Sequence, residues 1–186
     1  MYHLLYPLRS FLIVSGTETP DVMTADWVTV ISREPLLIGV SIAPDRTTHD
    51  LIKEEQAFVI SVPSADMLGD VWTAGTKSGP SKTEQMHVTF TPSQKIAVPG
   101  ITEALANLEC QVVDSPTYGD HTLYVAKVIA YTVDGDAYEG TPPWKPERFI
   151  AHIGSNRFVT FSAAEMQPEP SIISHSLLAV VSEQKK

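Results

Sequence analysis

Along most of this chain apolar and polar residues alternate in short runs, and turn-forming residues cut each run before a long helix could develop. Residues 9–15, 22–32 and 36–43 are rich in Val, Ile, Thr and aromatic side chains, with Gly16 to Pro20 and Arg33 to Pro35 between them. β-branched segments bounded in this way predict strands. In Val28-Thr29-Val30-Ile31-Ser32 and Val40-Ser41-Ile42 the alternation has a period close to two, as in a strand with one dry face. Further strands are predicted over residues 57–62, over 105–114 and 121–133 as a hairpin across 115–120, and over 148–154 and 157–161.

Two segments break this rhythm. Thr47-Thr48-His49-Asp50 has capping-box spacing ahead of residues 51–56, so one of the two threonines is expected to cap a helix. Ser64 precedes Met67, Leu68, Val71 and Trp72, whose helical spacing over residues 64–74 reads as a core-facing stripe. A third short helix is predicted over residues 101–107. Seven or eight strands with two or three short helices predict a mainly β fold, a closed antiparallel barrel without free sheet edges. Residues 1–162 read as this barrel domain. Residues 163–186, with Pro168 and Pro170 ahead of an apolar stretch at 172–181, read as a C-terminal arm that packs on the barrel or on a partner subunit.

Composition narrows the function. A length of 186 residues suits one domain, and a hydrophobic content of 43% excludes disorder. Thirteen basic against 22 acidic residues give a net charge of −9, which argues against nucleic acid as a partner. Charged residues make up 19% of the chain, below the usual quarter, and so little polar surface favours a buried subunit interface. Cys110 is the only cysteine, which excludes a disulfide framework and suits a reducing cytoplasm. No apolar run approaches the ~20 residues of a membrane helix. Pro7 and Arg9 fall where a signal sequence would need its apolar core. The expectation is a soluble, cytoplasmic protein with no membrane partner.

The familiar catalytic signatures fail one by one. Histidines at 3, 49, 87, 121, 152 and 175 have no metal-ligand spacing, so no metal site is expected. Gly39-Val40-Ser41-Ile42-Ala43 resembles a nucleophile elbow, but strand-like residues continue past Ser41 where that motif needs a sharp turn into a helix. Ala74-Gly75-Thr76-Lys77-Ser78-Gly79 lacks the Gly-Lys-Ser/Thr order of a phosphate loop, and no Gly-x-Gly-x-x-Gly occurs.

The segment over residues 40–50 does suggest a ligand. A strand ends at Ala43, Pro44-Asp45 turns, and Arg46-Thr47-Thr48 stands where a helix opens. Free N–H groups there, with the helix dipole behind them, favour an anion, and Arg46 adds a charge-assisted donor. Small residues in Asp21-Val22-Met23-Thr24-Ala25-Asp26-Trp27 would let a planar ligand approach the backbone. The polar loop at 75–84, with Ser78 and Lys82, and the turn Tyr118-Gly119-Asp120-His121 complete the set.

In this order and spacing the pieces resemble the flavin reductase-like family of FMN-binding split barrels. The resemblance spans about Tyr6 to Phe161 and rests on Met23 to Trp27, Arg46-Thr47-Thr48, Phe58 to Pro63, Ser78 with Lys82, Leu108-Glu109-Cys110, Gly119-Asp120-His121 and His152 to Phe158. It implies an antiparallel split β-barrel that forms a homodimer with FMN at the interface. Arg46, Thr47 and Thr48 would hold the phosphate. Thr24, Ala25, Asp26 and Ser41 would line the ring edge through backbone groups, with Trp27 beside the ring. Ser78, Lys82 and His121 would close on the cofactor, with Lys82 and His121 as the catalytic candidates, and Phe158 would pack near the ring. The implied activity is that of an NAD(P)H:flavin reductase, with NADH or NADPH as reductant and a small-molecule or protein electron acceptor. A flavin electron carrier without efficient NAD(P)H oxidation, and a non-catalytic ligand-binding barrel, are the alternatives. Two departures stand out. Asp21 occupies a position where the family usually has Asn, and Ala126-Lys127-Val128 replaces a Gly-Glu-Val, which would narrow the room for a nicotinamide.

Overall fold

The computed structural model describes residues 1–135, Ala137, Lys145 and residues 148–161. The proposed C-terminal arm at 163–186 lies outside the described residues. In chain order the elements are β1 (Leu8–Arg9), β2 (Phe11–Ser15), β3 (Asp21–Ala25), β4 (Val28–Arg33), β5 (Leu36–Ile42), α1 (Thr47–Glu55), β6 (Ala57–Val62) and α2 (Leu68–Thr76). There follow β7 (Phe90–Thr91), β8 (Gly100–Ile101), β9 (Ala106–Asp114), β10 (Thr117–Tyr118), β11 (His121–Val133), β12 (Ile150–Gly154) and β13 (Arg157–Thr160). Single 3-10 turns occupy Tyr2–Leu5, Ala65–Met67 and Pro80–Gln85.

The main sheet runs β3-β2-β6-β9-β11-β5-β4, with β10 on β11, and every pairing in it is antiparallel. It curls into the split barrel that the family resemblance implied, not the closed barrel without free edges that the strand pattern predicted. The ladder does not close into a ring, because β3 and β4 stand at its two ends. Alternate side chains of β2 and β6 feed two separate cores. Leu12, Val14 and Val59 pack with Met67, Val71 and Ala74 near α2, whereas Ile13, Phe58 and Ile60 pack with Val40, Ile42, Cys110 and Tyr124. Both faces of these strands are therefore dry, which is why residues 57–62 read as a nearly continuous apolar run.

Three local expectations are corrected. The run at 22–32 is two strands, broken at Asp26 and Trp27, where Val28 N–H bonds back to the Asp26 carbonyl at 3.0 Å. Residues 101–107 are not helical. Asn107 lies in β9, and its buried amide accepts from Ser61 Oγ (2.6 Å) and Ile101 N (2.9 Å) and donates to the Ile101 carbonyl (2.9 Å), clipping β8 to β9. Neither threonine caps α1. The N-cap is Arg46 in extended conformation with no side-chain cap bond, and the Thr48 hydroxyl instead donates to Asp21 Oδ2 at 2.6 Å.

Carboxylates fix the loops that carry the barrel ends. Glu55, at the end of α1, accepts the N–H groups of Gly16 (3.1 Å) and Thr17 (2.8 Å) in the β2–β3 turn. Glu109 in β9 is buried and takes the N–H groups of Gln94 and Lys95, both at 2.7 Å. Through Glu55 the turn sets where β3 begins relative to α1.

Gly16 has φ +88, and a Cβ there would lie 2.6 Å from the Thr19 carbonyl oxygen. Gly16→Ala should lower unfolding free energy by about 1–3 kcal/mol, the usual cost of a side chain in that backbone region, as read from urea denaturation. Cys110 is fully buried and burial pushes its thiol up to about 12. A disulfide reagent at pH 8 should label Cys110 only as the protein unfolds; rapid labelling of the native protein would contradict that burial.

Candidate functional site

A cavity of about 590 Å³ opens where the edge of β3, the end of β5 and the start of α1 meet. Among the described residues β3 pairs with β2 alone, so its other edge has N–H and C=O groups outside the ladder. Met23, Thr24, Ala25 and Asp26 form this side of the cavity, and Trp27 follows them. Their side-chain polar groups are already engaged. Thr24 Oγ1 donates to the Val71 carbonyl of α2 at 2.6 Å. Asp26 accepts from Ser10 Oγ (2.6 Å), Tyr6 Oη (3.2 Å) and His152 Nδ1 (2.7 Å). What β3 leaves unengaged toward the cavity is its backbone. Burial, and then the Asp26 carboxylate, push the Tyr6 hydroxyl up to about 12.

Another part of the wall gathers the residues expected to meet an anion. Arg46, Thr47 and Thr48 line it at the opening of α1, beneath Ser41, Ile42 and Ala43 of the β5 end. Arg46 is half exposed and touches Asp45 only loosely, Nε to Oδ1 at 3.5 Å, a surface contact of little strength. From the end of α2 the chain adds Ala74, Gly75, Lys77 and Ser78 to the wall, with Lys77 bonded to Gln85.

Two predicted residues close the remaining side. His121 begins β11, its Nδ1 lies 2.8 Å from Asp120 Oδ1, and its ring centre is 4.8 Å from that of Trp27. That hydrogen bond holds the Asp120 carboxyl below its usual range. Lys82, from the 3-10 turn at Pro80–Gln85, lines the cavity although it is buried, and its Nζ lies 2.9 Å from Asp21 Oδ1. Of the expected cofactor-binding set, Thr24, Ala25, Asp26, Trp27, Ser41, Arg46, Thr47, Thr48, Ser78, Lys82 and His121 thus surround one space. Phe158 does not line it. That ring stacks on His152 at 4.7 Å and meets Trp72 edge-on at 6.4 Å, in a second depression with Leu68, Gly69 and Asn156.

Sequence reasoning missed several contributors. Tyr2 and Tyr6 stand at the cavity, and Tyr2 packs edge-on against Trp27 at 5.4 Å. Their signal was an aromatic-rich N-terminus with no strand pattern. Lys77 belonged to a stretch dismissed for lacking phosphate-loop order. Asp21 stood out only as a departure. The residues of the second departure, Ala126, Lys127 and Val128, lie mid-strand in β11 and do not line this cavity. Among the described residues no cluster of His, Cys, Asp or Glu is placed to hold a metal ion, and no helix is long and apolar enough to cross a membrane.

Comparison with known proteins agrees with this geometry. An uncharacterised protein of Pyrococcus abyssi is 57% identical over 161 residues, covering 86% of this chain and 94% of that protein. An NADH-dependent FAD reductase of Streptomyces globisporus is 27% identical over 128 residues, or 68% of this chain and 70% of the relative. A crystal structure of an FMN-binding protein from Thermus thermophilus, solved with bound 1-cyclohex-2-enone, superposes with a TM-score of 0.84 at 25% identity, over 90% of this chain and 94% of that one. The family model described as the flavin reductase like domain matches residues 3–149. With the split barrel and a cavity that gathers eleven of the expected residues, this match makes the chain a member of the flavin reductase like domain family.

Proposed function

We propose that the chain binds FMN in the cavity beside β3 and works as an oxidoreductase of the NAD(P)H:flavin reductase type, as a cytoplasmic homodimer. The observation that carries this reading is the joining of two unlike ends in one space. One end has Arg46, Thr47 and Thr48 at a helix opening; the other has a free strand edge flanked by Trp27 and His121. That donor set suits a phosphomonoester attached to a planar, heteroatom-rich ring. The names of the Thermus thermophilus and Streptomyces globisporus relatives support the same ligand class.

Bound FMN would supply the redox chemistry, taking a hydride from a nicotinamide and passing two electrons to an acceptor. The protein's own part is binding and orientation. Arg46 would exchange its weak contact with Asp45 for the phosphate, and the first N–H groups of α1 would add donors to it. Backbone groups of Thr24, Ala25, Asp26 and Ser41 would fix the ring edge. Asp120, bonded to His121 Nδ1, holds that imidazole against Trp27 at the cavity wall. Dimerisation is supported by β4, an edge strand on which Val30 and Ile31 are 65% and 47% exposed.

A second reading is an electron carrier that reacts poorly with nicotinamides. It is favoured by the N-terminal turn, whose Tyr2 ring leans on Trp27 and occupies part of the cavity wall that a second ring would share with the flavin.

Arg46→Ala should weaken FMN binding by about 1.5–3 kcal/mol, roughly 10- to 150-fold in Kd, in a fluorescence titration. Unaltered affinity would remove Arg46 from the phosphate site. Under anaerobic conditions NADH or NADPH should bleach the flavin absorbance of the reductase within seconds, whereas a carrier would stay yellow.

A further inference from the structure

Lys82 is an uncommon cavity-wall residue. A lysine at a ligand site ordinarily presents a free, mobile ammonium. Here the ammonium is 2.9 Å from Asp21 Oδ1, and the two side chains are only 5% and 1% exposed. The other carboxylate oxygen, Oδ2, accepts the Thr48 hydroxyl at 2.6 Å, whereas Oδ1 has no hydrogen bond and is met by the Lys82 ammonium as an ion pair. Asp21 itself does not line the cavity; it stands behind Lys82 on β3. The other basic groups of the wall differ. Arg46 and its partner Asp45 are 51% and 77% exposed, His121 has the exposed Asp120 beside it, and Lys77 bonds a neutral glutamine. Water screens those contacts, but little water reaches the Lys82–Asp21 pair.

Resting on the flavin reading above, we propose that Asp21 is the counter-ion that withdraws the Lys82 charge from the bound flavin and so keeps its midpoint potential low. Reduced FMN has a negative charge that the oxidised ring lacks. A free ammonium in the wall would favour the reduced form, because charge interactions in a dry site are strong. With Asp21 at contact distance the pair presents a small dipole instead of a unit charge. The reduced form gains little from it, and the flavin gives its electrons up more readily. Asn at position 21 would leave Lys82 uncompensated. Asp21 therefore acts on the cofactor through Lys82, as a positioning residue that does not touch the ring.

The test uses full-length holoprotein with FMN, comparing wild type, Asp21→Asn and the double variant Asp21→Asn/Lys82→Met. Lys82→Met alone is avoided, because it would leave a buried carboxylate unpaired. Affinity is read by titration of apoprotein and midpoint potential by spectroelectrochemistry. Asp21→Asn should favour reduced over oxidised FMN by about tenfold, which raises a two-electron potential by about 30 mV. The double variant, again neutral at this place, should return to the wild-type value. Asp21→Asn holoprotein with the wild-type potential would overturn the proposal and reduce Asp21 to a structural strut. If Asp21→Asn does not fold, the double variant still decides. A potential about 30 mV or more below wild type would show that the Lys82 charge already reaches the flavin. Failure of wild type to bind FMN would instead overturn the flavin reading, and this proposal with it.

Discussion

A carboxylate that is almost wholly out of water holds the ligand cavity together. Asp21 opens β3, its Oδ1 meets Lys82 from the 3-10 turn after α2, and its Oδ2 meets Thr48 in the first turn of α1. Three walls of one cavity are thereby tied to a single side chain. Burying such a group is costly, and the arrangement persists only while both oxygens are matched. The strand edge, the helix opening and the lysine loop consequently cannot shift independently. Any ligand that spans them meets a preformed cleft.

The same solution recurs around the barrel in less buried form. Glu55 grips two N–H groups of the β2–β3 turn, Glu109 grips two in the loop between β7 and β8, and Asp26 gathers Ser10, Tyr6 and His152. Glu55 and Glu109 lie on regular elements and Asp26 at the break between β3 and β4, and each accepts from a neighbouring segment. An acidic composition that argues against nucleic acid as a partner thus has an internal use, which is to fix loops to strands.

The strands were legible in the sequence because β-branched residues recur between turn residues. β6 matches residues 57–62, and the hairpin of β9 and β11 follows the predicted one closely. Local pattern failed where a distant partner decided the outcome. The capping box at Thr47 to Asp50 does not form because α1 already includes Thr47, with Arg46 at the N-cap, and the Thr48 hydroxyl goes to Asp21, 27 residues before it. The helix expected at 101–107 loses to Asn107, whose amide is satisfied by Ser61 and Ile101 across two strands. Most of the candidate site was legible through its ordered short motifs, whereas the counter-ion of Lys82 was not. Nothing near Asp21 in the sequence announces a lysine 61 residues later, and only the fold brings the two into contact. Phe158 was placed too near the cavity because its segment hangs on His152, and the hydrogen bond from His152 to Asp26 leaves Phe158 on the far side of that ring.

The central claim is that one cleft accepts a flavin with its phosphate at the opening of α1. Calorimetric titration of the purified apoprotein with FMN and with riboflavin, which differ only in that phosphate, tests it most directly. FMN should bind at one site per subunit and at least about tenfold more tightly than riboflavin, the gain expected of one charge-assisted contact. Equal affinities, or no heat with either compound, would contradict it.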